Sequence, residues 1–127
     1  MILNIHHIAI ICSNYTRSKA FYLDVLGCEV IRETYRQERC SYKLDLRVGD
    51  HGYIELFSFP NPPKRLSFPE ACGLRHIAFA VADIDAAHSE IQKKGVEVEA
   101  IRYDELADKH FFFFQDPDGL PIELYAV

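Results

Sequence analysis

The chain is poor in the features that mark several protein classes. It has four cysteines, Cys12, Cys28, Cys40 and Cys72, scattered with no CxxC pair. That spacing excludes a zinc-ribbon framework and points to a reduced, cytoplasmic setting rather than a disulfide-stapled secreted domain. Basic residues are not in excess: 14 Lys and Arg stand against 19 Asp and Glu, a net charge of −5. A broad nucleic-acid surface would be basic, so no nucleic-acid partner is expected. The start shows no basic segment followed by a long apolar stretch, and no run approaches membrane-spanning length, so no membrane partner is expected. What remains is 127 residues, 49% hydrophobic and 13% aromatic. That fits one packed globular domain.

Within that length the chain repeats itself. His7-Ile8-Ala9-Ile10 returns as His76-Ile77-Ala78-Phe79, and Ile54-Glu55-Leu56-Phe57 returns as Ile122-Glu123-Leu124-Tyr125. The offsets are 69 and 68 residues. A near-constant offset through two unlike motifs marks a duplicated unit. Halves of about sixty residues are marginal alone, so a shared core is expected.

Each half predicts the same element order. Residues 4–12 read as a strand, and Ser13 or Asn14 can cap the helix that follows. Phe21, Tyr22, Val25 and Leu26 make one apolar helical face, and Gly27 supplies the stop. Residues 28–34, 40–48 and 53–59 read as strands. In the second half, 75–82 is a strand and Asp83 caps a helix carrying Ile84, Ala87 and Ile91. Gly95 ends that helix, 68 residues after Gly27. Residues 96–102, 110–115 and 121–126 follow as strands, with Asp116-Pro117-Asp118-Gly119 as a tight turn. Between the halves, Phe59 to Gly73 holds Pro60, Pro62, Pro63, Pro69, Lys64 and Arg65. It reads as a linker or as a lid over a cleft. The expected organisation is one domain over 1–127, with module 1 at 1–59, the connection at 60–73 and module 2 at 74–127.

Alternation along strands sorts the repeated residues by face. His7, Ala9 and Ile11 share one face, as do His76, Ala78 and Ala80. The large apolar residues between them pack under the helix, and the small Ala leaves room above the strand. Glu55 shares its face with Tyr53 and Phe57, and Glu123 with Tyr125. His6 falls opposite His7. A carboxylate among aromatics on a central strand is costly without a counter-charge. Two such carboxylates repel, and a divalent cation removes both problems. A lone His or Glu on a strand is ordinarily a plain core or surface residue; four at matching repeat positions point to a ligand set. Nitrogen and oxygen donors suit Ni, Zn or Co, and also Mn or Fe.

These residues resemble the vicinal oxygen chelate superfamily, which includes glyoxalase I, methylmalonyl-CoA epimerase, extradiol dioxygenases and fosfomycin-resistance proteins. The resemblance is carried by the repeated His and Glu strings, by Ala20-Phe21-Tyr22-Leu23-Asp24-Val25-Leu26-Gly27, and by Asp116-Pro117-Asp118-Gly119-Leu120-Pro121-Ile122-Glu123-Leu124. It implies an α+β fold of two tandem βαβββ modules forming a curved mixed sheet around a metal cleft. It implies His7, Glu55, His76 and Glu123 as metal ligands. The four-ligand pattern resembles glyoxalase I, a metal-dependent lyase or isomerase. That family acts on a small α-oxo compound or its thiol adduct through a metal-stabilised enediolate. Glu123 would then be the catalytic base, with Glu55 able to act on the other face. A homodimer is implied as well. The alternatives are an acyl-thioester epimerase, an Fe(II) dioxygenase, or a non-catalytic small-molecule-binding protein. The family's basic glutathione contact, four positions after the first His, is here Ile11, which leaves the thiol open.

Other candidates are weaker. Lys109, Tyr53 and Phe57 are candidate substrate contacts, as are Tyr42 and Arg47. Phe112 and Phe114 share one face and Phe111 and Phe113 the other, so one pair is core and one can wall a cleft. Arg32, Arg36 and Arg39 alternate with Glu33 and Glu38 and read as an exposed mixed-charge hairpin. His51 and His88 read as surface residues, and Cys40 as structural.

Overall fold

In the computed structural model, which describes residues 1–127, the first apolar run becomes strand β1 over Ile8–Cys12. The strand is shorter than expected, because residues 1–7 form none. Asn14 caps helix α1, Tyr15–Ala20, by accepting from the Arg17 N–H at 3.0 Å. The helix widens into a π-helical turn, Phe21–Val25, in which Phe21 and Tyr22 are buried. Gly27 ends it at a φ of 72°, a region glycine enters without steric cost. Strands β2 (Glu29–Arg36), β3 (Ser41–Val48) and β4 (Gly52–Ser58) follow. They form a mixed sheet in the order β1-β4-β3-β2, with β1 parallel to β4 and the other pairs antiparallel.

The second set repeats this plan. Strand β5 spans Ile77–Val81, and Asp83 caps helix α2, Ile84–Lys93, through the Ala86 N–H at 3.0 Å. Strands β6 (Arg102–Asp104), β7 (Lys109–Gln115) and β8 (Pro121–Ala126) complete a sheet ordered β5-β8-β7-β6. Asp116 builds the turn into β8: its Oδ1 accepts from the N–H groups of Asp118 and Leu120, each at 2.9 Å. The strand expected at 96–102 is reduced to the three residues of β6. Short of β6, Glu99 meets β7 through its N–H to the Phe113 carbonyl at 3.3 Å and through its carboxylate, which takes the Phe113 N–H at 2.9 Å. A side chain there occupies a donor that backbone pairing would use.

The chain divides into two compact units, Met1–Lys64 and Arg65–Val127. Both are four-stranded mixed sheets with a helix, so the fold is two-module α+β. In unit 1, Ile10, Cys12, Leu44, Leu46, Ile54 and Leu56 are buried. In unit 2, Phe112, Phe114, Ile122 and Leu124 are buried, with Ile84 and Ile91 of α2. Each sheet therefore buries one apolar face, and Glu55 and Glu123 lie on the other. Arg65 donates to the carbonyls of Leu74 and Arg75 at 2.8 and 2.9 Å, tying the proline-rich segment to the approach to β5.

Candidate functional site

Parallel pairing sets the repeated motifs in the same register in both units. Ala9 lies opposite Glu55, and Ala78 lies opposite Glu123. The methyl side chain keeps the strip beside each carboxylate low. The His two residues upstream can then reach across it. His7 Nε2 is 3.4 Å from Glu55 Oε2, and His76 Nε2 is 3.1 Å from Glu123 Oε2. Two donors on adjacent corners of a metal octahedron with bonds near 2.1 Å lie roughly 3 Å apart. Each pair thus fits two ligands of one divalent metal. No group of three or more His, Cys, Asp or Glu side chains set to hold a metal occurs in the structure. Each unit offers a two-ligand half-site.

The surroundings of the two pairs differ. Opposite Glu55 on β3 stands Asp45. Two carboxylates side by side are offset by Lys43, 3.6 Å from Asp45 and 3.8 Å from Glu55, and by Arg32, 3.4 Å from Asp45. Opposite Glu123 on β7 stands Phe113, whose ring meets His76 edge-on at 5.0 Å. Glu123 is buried, with 12% of its side chain exposed against 20% for Glu55.

His6 departs from its expected place. Its ring stacks on Tyr53 at 5.4 Å, and its Nδ1 meets His7 Nδ1 at 2.9 Å, one ring donating and the other accepting. Alternation does not bind it, because both histidines precede the first residue of β1. The contact occupies Nδ1 of His7 and leaves Nε2 toward Glu55, the tautomer control common to metal-binding imidazoles. A groove of about 180 Å³ in unit 1 is lined by His6, His7, Tyr53, Glu55, Arg32 and Asp45.

The remaining candidates are dispersed. Tyr53 lies in that groove, and Phe57 lies two residues beyond Glu55 under the Arg36 guanidinium. Lys109 opens β7, four residues before Phe113 and roughly 13 Å away along the strand. Tyr42 stacks on Tyr15 at 4.3 Å, and Arg47 pairs with Glu29. Phe112 and Phe114 are the core pair; Phe111 and Phe113 are half-buried. His88 is a correction: it is half-buried, with Nε2 2.8 Å from the Glu99 carbonyl and its ring edge-on to Phe112. An apolar partner on another strand has no signature in the helix itself. All four thiols are free, and burial pushes Cys28 up to about 11, so it stays protonated at neutral pH. No helix is long and apolar enough to cross a membrane.

Two similar sheets, each with a His just before one strand and a Glu on its parallel neighbour, define a duplicated α+β scaffold. The chain belongs to the glyoxalase/bleomycin resistance protein/dioxygenase superfamily, whose profile matches residues 4–124. It is 61% identical to the uncharacterized protein YwkD of Bacillus subtilis (strain 168), covering 96% of this chain and 95% of that one. It is 56% identical to the uncharacterized protein YaeR of Escherichia coli (strain K12), covering 95% and 94%. A glyoxalase family protein from Enterococcus faecalis superposes with a TM-score of 0.89 at 46% identity, covering 96% of each chain. More distant relatives are named as an epimerase, a glyoxylase I and metallothiol transferases.

Proposed function

We propose that the chain is a metal-dependent lyase or isomerase of glyoxalase type, acting on a small α-oxo compound or its thiol adduct. The observation that carries this reading is the repeated His–Glu pair, at 3.4 Å in unit 1 and 3.1 Å in unit 2. His7, Glu55, His76 and Glu123 would hold one divalent transition metal, Ni, Zn or Co before Mn or Fe. Two half-sites are needed for four ligands, supplied by one chain or by two copies in a homodimer. When bound, the metal supplies Lewis-acid stabilisation of negative charge on adjacent substrate oxygens.

The chain's own residues do the rest. Glu123 takes a proton from one substrate carbon and returns it to the neighbouring carbon while the substrate's hydroxyl proton passes to the neighbouring oxygen, so Glu123 begins and ends the cycle ionised. The electron pair left behind is shared between the two substrate oxygens until the proton returns. The burial of Glu123 beside Phe113 supports this assignment, because a base works best where few other groups compete for its charge. Glu55, already shared with Lys43, suits the role of ligand and of base on the opposite face. His6 orients His7, Tyr53 lines the groove beside Glu55, and Phe57 stands two residues beyond Glu55 on the same strand.

Ile11, 56% exposed on the Ala9 face, carries no charge at the position where the resemblance to glyoxalase I implies a basic glutathione contact. That favours a second reading, an epimerase using the same proton-transfer pair on an acyl thioester. Metal analysis of the purified protein, followed by assay with the methylglyoxal–glutathione hemithioacetal and with acyl-thioester substrates, separates them. A metal-loaded protein that turns over neither substrate would reject both.

A further inference from the structure

Two arginines in this chain lie on pairs of phenylalanine rings, one in each unit, and only one of them is neutralised. In unit 2, the Arg102 guanidinium lies 5.0 and 5.1 Å from the Phe111 and Phe113 ring centres. Its Nε is 2.8 Å from the Glu99 carboxylate. In unit 1, the Arg36 guanidinium lies 4.9 and 5.6 Å from the Phe57 and Phe59 ring centres. It has no carboxylate partner. Its Nη2 donates to the Ser41 hydroxyl at 2.9 Å, and its Nε is buried with no protein acceptor. Arg39 adds a second unpaired guanidinium, 5.1 Å from the Phe59 ring.

The neighbouring cations on the sheet do not share this state. Arg32, Lys43 and Arg47 all pair with carboxylates. An unpaired guanidinium N–H held out of solvent is costly, and an oxyanion is the acceptor that matches its planar fork. Phe57 stands two residues beyond Glu55 on the same face, about 7 Å along the strand. The aromatic floor fixes Arg36 there by cation–π contact, and no carboxylate competes with a ligand for its guanidinium.

We propose that Arg36, seated on Phe57 and Phe59 and backed by Arg39, binds an oxyanion of the substrate, which therefore carries a carboxylate or phosphate-type group about two strand residues from its reacting carbons. Only the placing of the reacting carbons rests on the metal-site reading above. Arg102 has the same aromatic seat but its own carboxylate, so it serves structure alone and provides an internal control.

The test is side-chain NMR of the arginine Nε–H groups in the full-length protein, titrated with inorganic phosphate and, separately, with malonate. The expected result is a saturable shift of the Arg36 resonance with at least one anion, while Arg102 does not move. A phosphate-only response assigns a tetrahedral oxyanion, and a malonate-only response a carboxylate. Arg36→Gln should abolish binding of that anion, and Arg36→Lys should retain it more weakly. The backbone amide resonances of unit 1 report whether each variant is folded. An unmoved Arg36 resonance with both anions overturns the proposal, as does undiminished anion binding in folded Arg36→Gln. Zinc titration of the same samples keeps the two readings apart. Loss of zinc binding by wild type sinks the metal site and leaves the Arg36 result standing.

Discussion

Units 1 and 2 share a topology, a register and a His–Glu pair, yet they surround that pair with opposite chemistry. Aligned on Glu55 and Glu123, Lys43 and Asp45 of β3 correspond to Phe111 and Phe113 of β7. Unit 1 therefore holds its carboxylate in a charged network, and unit 2 holds its carboxylate against rings. The difference shows what a duplicated scaffold can keep and what it can vary. The parallel strand pair with Ala beside Glu is needed for the His to reach, and it is the same in both units. The opposing strand controls how tightly each carboxylate is engaged, and there the units have diverged.

The comparison breaks first at the two carboxylates. Glu123→Gln should lower kcat per bound metal by on the order of 10²–10⁴-fold, the range for losing a general base. Glu55→Gln should cost distinctly less. Both need metal content measured alongside rate, because each removes a proposed ligand. Equal losses per bound metal would mean that the rings around Glu123 confer no special role.

Exchanging the surroundings probes the same contrast through stability. Phe113→Asp sets a carboxylate opposite Glu123 as Asp45 stands opposite Glu55, but without the cations of unit 1. It should destabilise by about 3 kcal/mol, the scale for an uncompensated buried charge. Adding Phe111→Lys supplies the equivalent of Lys43 and should recover a third or more of the loss. Denaturant midpoints of the single and double variants decide it; no recovery would show that the two environments are not interchangeable. A smaller effect is expected at His6. His6→Ala removes the partner of His7 Nδ1 and should weaken metal binding about 10–100-fold, the range for a residue that orients a ligand. Isothermal titration with zinc reads this directly, and unchanged affinity would remove His6 from the site.

Most of the frame was legible in the residues. The offset of 68 or 69 located both copies, the caps Asn14 and Asp83 are where the helices begin, and parity put Glu55 with Tyr53 and Phe57. Parity failed where no strand forms. His6 and His7 precede β1, so alternation assigned His6 to the wrong side. The network around Glu55 was missed for a different reason. Asp45 and Lys43 come opposite Glu55 and Phe57 only once the β3–β4 hairpin is registered, Val48 against Gly52. The Val48-Gly49-Asp50-His51-Gly52 turn carried that signal. Arg36 read as one charge in an exposed hairpin; its burial depends on Phe57 and Phe59, about twenty residues away, which charge pattern does not report.

The smallest expected effect lies away from the two His–Glu pairs, in a contact that unit 1 has beyond its own pair. Glu33 on β2 accepts from the Tyr15 hydroxyl at 2.5 Å and from Lys19 at 2.7 Å, fastening α1 to the edge strand. Lys19 first and Tyr15 second hold the Glu33 carboxyl below its ordinary range, while burial and then Glu33 itself raise the Tyr15 hydroxyl. A carboxyl whose folded pKa is depressed stabilises the fold above its unfolded pKa, and that contribution is lost as pH falls through the folded value. Glu33→Gln should thus lower the thermal midpoint slightly at pH 7, and the gap from wild type should close on acidification below the ordinary carboxylate range. Because the pair is more than a third exposed, solvent screening keeps the effect to a few tenths of a kcal/mol and high salt should shrink it further. Melting curves run from pH 7 to pH 3 at two salt concentrations test this. A gap that stays constant across pH would mean that Glu33 acts through packing and not through charge.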